Sequence, residues 1–251
     1  MKIVFIHHSC FLVEVEKKVL IFDWFAGEQV KECQFKGVLP EYAADTPVYV
    51  FASHKHRDHF DMDVLHLVEK YNDIHFILSK DCKMSPNFLQ KHGIDPKIRE
   101  KITYVKANEN YVVDGDVFVE TLRSTDVGVA FYVMTGGVSL FHAGDLNDWS
   151  FEEADDLANQ RMHNAFCKEM EKLVTKDIDA AFIPMDPRLG ENQWNAVDFV
   201  LKKTRAKRVF PMHMWQDYSG IGHYIQQRKP DWAERVVPIS HENQEFNIVE
   251  V

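Results

Sequence analysis

The densest chemistry in this 251-residue chain lies in one run, Ser53-His54-Lys55-His56-Arg57-Asp58-His59-Phe60. With 13 His in the chain, an HxHxDH pattern arises by chance on the order of a few times in a thousand such sequences. In an extended loop, residues two apart turn their side chains to the same side, so His54 and His56 can face one point. Asp58 and His59, at the turn beyond, can reach a second point nearby. Two imidazoles suit zinc, and a mixed imidazole and carboxylate set suits zinc, iron or manganese. The run therefore predicts one metal or two adjacent metals, against the plainer reading of a solvated polar loop.

Flanking elements must hold this run in place. Val48–Ala52 reads as a strand buried on both faces. After the run, Val64, Leu65, Leu67 and Val68 recur at helical spacing behind Asp61 as a cap, so the unit is strand, polar loop, helix. Upstream, Lys2–Ile6, Phe11–Val15 and Val19–Phe22 read as short strands of a meander. Downstream, Tyr111–Val113 and Val117–Leu122 flank Asp114-Gly115, and Phe131–Met134 and Val138–Phe141 flank Thr135-Gly136-Gly137, both hairpin signals. The second half then alternates. An amphipathic stretch from Phe151 to about Thr175 precedes a strand Ala180–Ile183, a helix near Ala196–Lys203, a strand Val209–Met212 and a helix near Gly220–Gln227. Short strands near Val236–Ile239 and Phe246–Val249 end the chain. No Gly-, Pro- or Ser-rich linker and no repeat divides it, which predicts one α+β domain over residues 1–251, built of two β-rich layers covered by helices.

Composition narrows the function. Lys and Arg number 29 against 39 Asp and Glu, a formal charge of −10, which argues against a broad nucleic-acid surface. No apolar run approaches the roughly 20 residues of a membrane span. The apolar start Met1–Ile6 stops at His7 and His8, too short for a signal-peptide core, so the expected location is the cytoplasm. Cys10, Cys33, Cys82 and Cys167 are scattered with no CxxC pair, which predicts small buried roles rather than disulfides or a thiolate metal site.

The signature run resembles that of the metallo-β-lactamase-fold hydrolases, and the resemblance continues in order along the chain. Asp23 in Leu20-Ile21-Phe22-Asp23 is similar to the family's early Asp, which supports the metal loop. Asp145 in Phe141-His142-Ala143-Gly144-Asp145 is similar to the Gly-Asp whose carboxylate bridges the metals, and His213 in Phe210-Pro211-Met212-His213 to the late His after a strand. The resemblance implies a four-layer αββα sandwich with the site at one edge. It also implies a complete second metal site from Asp58, His59, Asp145 and His213, and a first site from His54, His56 and Asp145.

One departure matters. The family supplies another His between the signature run and the Gly-Asp, whereas this chain reads Leu122-Arg123-Ser124-Thr125-Asp126-Val127-Gly128. Asp126 could substitute, although Asp also favours such turns; His7 or His8 could approach instead, and on a strand only one of two neighbours faces inward. The segment His8-Ser9-Cys10-Phe11-Leu12 is itself similar to a region near the site in the branch that includes ascorbate-6-phosphate lactonase. His142 reads as packed behind the ligands. Asp186-Pro187-Arg188 reads as a structural turn or an anion-recognition corner, with Arg57, Arg123 and Arg188 as anion contacts.

The resemblance implies a metal-dependent hydrolase holding one or two zinc ions, with manganese or iron as alternatives, in which metal-bound hydroxide attacks a carbonyl or phosphoryl centre. Asp58 would hold a metal or manage the proton of the nucleophile. The expected substrate is a small anionic metabolite (a lactone, ester or phosphodiester) rather than nucleic acid or membrane, and no oligomeric state is implied. The competing expectation is a non-catalytic metal-binding or ligand-sensing protein with an incomplete first site.

Overall fold

Strict alternation along the N-terminal strands produces two separate cores. In the computed structural model, which describes residues 1–228 and 230–248, the first sheet contains β1 (Lys2–His7), β2 (Cys10–Val15), β3 (Lys18–Phe22), β4 (Val48–Ala52), β5 (Ile74–Ser79) and β6 (Ile102–Val105), hydrogen-bonded in chain order. The pairs from β1 to β3 are antiparallel and those from β3 to β6 parallel. Phe5, Phe11, Leu20, Phe22 and Phe51 point to one side of this sheet, and their neighbours Val4, Leu12, Ile21, Val50 and Ala52 to the other. A period of two in strands buried on both faces requires both sets to be apolar, and they are.

The inner set packs on a second sheet. It comprises β7 (Asn110–Val112), β8 (Phe118–Arg123), β9 (Val129–Thr135), β10 (Val138–His142), β12 (Ala180–Pro184) and β14 (Val209–Met212), in the spatial order β14-β12-β10-β9-β8-β7. A two-stranded parallel ladder, β11 (Asp177–Ile178) with β13 (Arg205–Ala206), lies apart, and β15 (Gln244–Asn247) covers the outer edge of β1. Helices α2 (Asp156–Met170), α3 (Asn195–Lys203) and α4 (Ser219–Gln227) add Phe166, Val197, Val200, Ile221 and Tyr224 to the same core. The outer face of the first sheet is covered by 3₁₀ turns over Met62–Glu69 and Pro96–Lys101 and by α1 (Pro86–Lys91). The result is the expected αββα sandwich.

Differences from the sequence expectations have local causes. β5 and β6 have no counterpart among the sequence expectations; their short runs carry no hairpin signal and are strands because β4 offers a parallel edge to β5, and β5 one to β6. The segment behind Asp61 is 3₁₀ rather than α, although Asp61 Oδ1 does accept from the Asp63 N–H at 3.0 Å. Helix α2 begins at Asp156, where Asp155 accepts from the Ala158 N–H, so Phe151 stays in the preceding turn. Around Val236–Ile239 only one bridge to Val209 forms, since Pro238 has no N–H to extend the ladder. The last strand is Gln244–Asn247 instead of Phe246–Val249, and Val249 lies outside the described residues. Of the cysteines, Cys10 and Cys82 are buried, whereas Cys33 and Cys167 are partly exposed because each sits on a peripheral segment. Among the described residues no helix is long and apolar enough to cross a membrane.

The Phe182 ring is fully buried between the sheets, 4.5 Å from Phe11 and 5.3 Å from Phe210. Phe182→Ala is expected to lower unfolding free energy by about 3–5 kcal/mol. Urea denaturation measures this, and a loss below about 1 kcal/mol would show that the inter-sheet core is not packed as described.

Candidate metal centre

Parallel strands deliver their C-terminal ends to one edge of the sandwich. There β3 ends before Asp23, β4 before Ser53 and His54, β10 before Asp145, β12 before Asp186, and β14 before His213. The β1–β2 turn brings His8 to the same edge, and the His8 carbonyl accepts from the His213 N–H at 3.1 Å. His8, Asp23 and His213 all adopt positive φ (48°, 47° and 63°), a conformation that non-glycine residues hold only where the surroundings fix it.

Asp23, fully buried, organises the signature loop. Its Oδ1 accepts from the Ser53 N–H (2.7 Å), and its Oδ2 accepts from Ser53 Oγ (2.7 Å) and His59 Nδ1 (2.8 Å). Burial alone would raise its pKa, but the imidazoles of His142, His59 and His54 outweigh burial and hold it below the usual carboxylate range. The loop also needs Gly128. At φ 77° its absent Cβ would lie 2.1 Å from the Ser53 carbonyl oxygen, so only glycine lets β9 close on the loop.

Two groups of donors result. In the first, His54 Nε2 lies 2.9 Å from His56 Nδ1 and 3.3 Å from Asp145 Oδ2, and His56 Nδ1 lies 3.6 Å from Asp126 Oδ2. In the second, Asp58 Oδ2 lies 3.4, 3.9 and 3.8 Å from Nε2 of His8, His59 and His213. Asp145 Oδ1 lies 3.1 Å from His59 Nε2 and 3.4 Å from His213 Nε2, so the two oxygens of this carboxylate face different groups. Within His54–His56–Asp126–Asp145, and within His8–Asp58–His59–His213, one donor atom from each residue lies within 4.8 Å of all the others. Asp126 thus lies with His54, His56 and Asp145, and His8 with Asp58, His59 and His213.

The donor atoms themselves argue for a bound cation. Nε2 of His8, His59 and His213 and Oδ1 of Asp145 are buried, yet none makes a hydrogen bond of acceptable geometry. Orphaned polar atoms in a protein interior are costly, and four converging on one region fit a divalent cation. Burial, then the charge of His213, pushes His8 down to about 3, leaving it a neutral imidazole. Burial would raise Asp58 and Asp145, but the surrounding imidazoles hold both below the ordinary range. A neutral His8 and ionised Asp58 and Asp145 are in the protonation states that bind divalent metal. Burial would lower His59, but the carboxylates of Asp145 and Asp23 outweigh it and raise His59 well above the usual imidazole range, so His59 would release a proton on binding.

The remaining expected residues take supporting places. Asp186 lies outside both donor groups: it is buried, and its Oδ2 accepts from His213 Nδ1 (2.8 Å) and Trp215 Nε1 (3.1 Å), fixing His213 as Asp23 fixes His59. His142 packs behind the site, stacked on Phe22 with Nε2 2.9 Å from the Ser9 carbonyl oxygen. His7 turns away into Phe25 and Phe35. A cavity of about 460 Å³ opens over the donors. Arg57 and Arg188 line it while Arg123 does not, and Arg57 is paired with Glu32 at 2.7 Å. Sequence reasoning missed Trp149 and Trp215, whose rings lie 5.5 and 5.4 Å from that of His213; isolated tryptophans carry no spacing signal.

Residues 2–160 match the family model described as the beta-lactamase superfamily domain, and the chain belongs to that superfamily. Solved structures agree on the fold. Igni18, a metallo hydrolase of the archaeon Ignicoccus hospitalis, is 16% identical with a TM-score of 0.63 over 99% of each chain. Human tRNase Z, short form, is 13% identical with a TM-score of 0.56 over 100% of each. CmlA, a diiron β-hydroxylase of Streptomyces venezuelae, is 13% identical with a TM-score of 0.54, over 96% of this chain and 47% of that one. A neighbour named for tRNA on this fold means that the expected exclusion of nucleic acid does not stand on net charge alone.

Replacing Asp23 by Ala would leave the Ser53 N–H, Ser53 Oγ and His59 Nδ1 without their acceptor. Asp23→Ala is expected to weaken metal affinity about 10- to 100-fold. Competition with a chromophoric chelator measures it, and unchanged affinity would rule out the positioning role.

Proposed function

We propose that the protein is a metal-dependent hydrolase that holds two divalent cations and acts on a small anionic substrate such as a lactone, ester or phosphodiester. The observation that carries this reading is the set of converging, unpartnered, buried donor atoms beneath an open cavity. His8, Asp58, His59 and His213 would hold one cation, His54, His56 and Asp126 the other, with Asp145 between them. Bound divalent metals would polarise the scissile carbonyl or phosphoryl group and make hydroxide available at neutral pH. Zinc suits the imidazole-rich group, and the carboxylates of the other also suit manganese or iron.

The chain's own residues would do the rest. Asp58, 16% exposed at the cavity floor against 7% for Asp145, is the carboxylate better able to take the proton of the attacking water, a role that ligation reduces. Asp23 and Asp186 would hold His59 and His213 in one tautomer, with Nε2 presented to the site. Trp149 donates to the Asp145 carbonyl oxygen at 3.0 Å, so its ring walls the floor of the cavity. Four free cysteines support a reducing, cytoplasmic setting. The position of Asp126 beside His56 favours this reading over a non-catalytic binder with an incomplete site.

Elemental analysis of protein purified with zinc, manganese and iron supplied is expected to find about two metal equivalents. His56→Ala or Asp126→Ala should lower this to about one and reduce turnover of p-nitrophenyl esters or bis(p-nitrophenyl) phosphate at least about 100-fold. Less than about a tenth of an equivalent in the unaltered protein, or full activity in His56→Ala, would overturn the proposal.

A further inference from the structure

The cavity over the donors has two unlike walls. One is Arg188, whose Nε donates to Asp186 Oδ1 and Oδ2 (2.9 and 3.0 Å) and whose Nη2 donates to Oδ2 (2.5 Å). Its guanidinium also lies 4.7 Å from the centre of the Trp215 ring. Among the described residues Nη1 has no hydrogen bond, so a held, permanently charged group keeps one donor edge free beside the cavity. The carboxylates of Asp186, Asp58 and Asp145 raise its pKa further. Trp149, Phe151 and Met162 line the same cavity with apolar surface, and Phe151 is 37% exposed.

These walls are tied to each other. The Asn192 side chain donates to the Ser150 carbonyl oxygen (2.8 Å), the Glu191 N–H to Glu152 Oε1 (2.9 Å), and the Asn195 side chain to the buried Asp148 carboxylate (3.1 Å). Asp148 also accepts from His163 at 2.7 Å, which fixes the helix that carries Met162. Gly190 makes the lacing possible: at φ 57° its absent Cβ would sit 2.0 Å from Glu152 Oε1. The apolar wall and the cationic arm therefore form one preorganised unit, not two mobile loops.

From this we infer that the cavity recognises an amphipathic anion: a phosphate- or carboxylate-bearing molecule whose charged group meets Arg188 while an apolar ring or chain lies on Trp149, Phe151 and Met162. The inference rests on the proposed metal centre and narrows its substrate class. A small, wholly polar metabolite would leave the apolar wall wet, and a neutral apolar ester would leave the arginine edge unused.

Calorimetric titration of the metal-loaded protein with phenylphosphonate, methylphosphonate and benzyl alcohol tests it. Phenylphosphonate is expected to bind at least about tenfold tighter than methylphosphonate, and benzyl alcohol not measurably. Arg188→Ala, compared with the unaltered protein at equal metal occupancy, should weaken both phosphonates about tenfold or more. Phe151→Ala and Met162→Ala, which keep Arg188 and its partners, should erase only the preference for phenyl over methyl. Equal affinity for the two phosphonates, or no loss in Arg188→Ala, overturns the inference. Selective phenylphosphonate binding without turnover of any ester would overturn the hydrolase reading instead, and turnover without the phenyl preference would leave that reading standing while this one falls.

Discussion

The site depends on one buried carboxylate. Asp23 has no contact with solvent, and it ties the end of β3 to the end of β4 and to the His59 ring through three donors. Taking an ionised carboxylate out of water costs several kcal/mol, recovered only when its lone pairs are met and positive charge lies close. Both conditions hold here, but only with β3, β4 and the signature loop in register. Asp186 repeats the arrangement on the other sheet with His213, Trp215 and Arg188 as its donors. Each sheet thus supplies one carboxylate that aims one imidazole, and the two imidazoles meet at Asp145.

The two donor groups differ in their access to water. His8, His59 and His213 are each at most 2% exposed, whereas His56 and Asp126 have side chains exposed by 45% and 44%. Ligands held by packing pay little ordering entropy on binding, and exposed side chains pay more. The exposed carboxylate of Asp126 also brings negative charge to the rim of the cavity that Arg57 and Arg188 line.

Much of this was legible in the sequence because the relevant signals are short-range. The period of two in β1 to β4 and the glycine turns between β7 and β10 identify strands without knowledge of their partners. HxHxDH and Gly-Asp single out residues whose donor atoms converge because their spacing is itself the geometry. What the sequence hides is long-range. His8 is 50 residues from Asp58 in number but a few ångströms away in space, and its left-handed turn conformation at the end of β1 carries its ring to the donors while His7 packs into Phe25 and Phe35. Asp126 reads as a turn residue because it is one, and only the closure of β9 on Ser53 through Gly128 brings its carboxylate to His56. β5 and β6 were missed because a four- to six-residue apolar run has no periodicity to read.

The hydrogen bond from the His213 N–H to the His8 carbonyl joins the first hairpin of the chain to one of its last strand ends, and β15 then pairs with β1. The donor group that contains both His8 and His213 cannot be complete until the second of them is made, whereas His54, His56, Asp126 and Asp145 need neither. Until residue 213 has left the ribosome, the N-terminal hairpin presents His8 with no partner ring, and β1 has an unpaired edge. Contacts across so long a sequence separation form slowly. The group of His8, Asp58, His59 and His213 is therefore the one whose closure reports that the first hairpin and β14 have met.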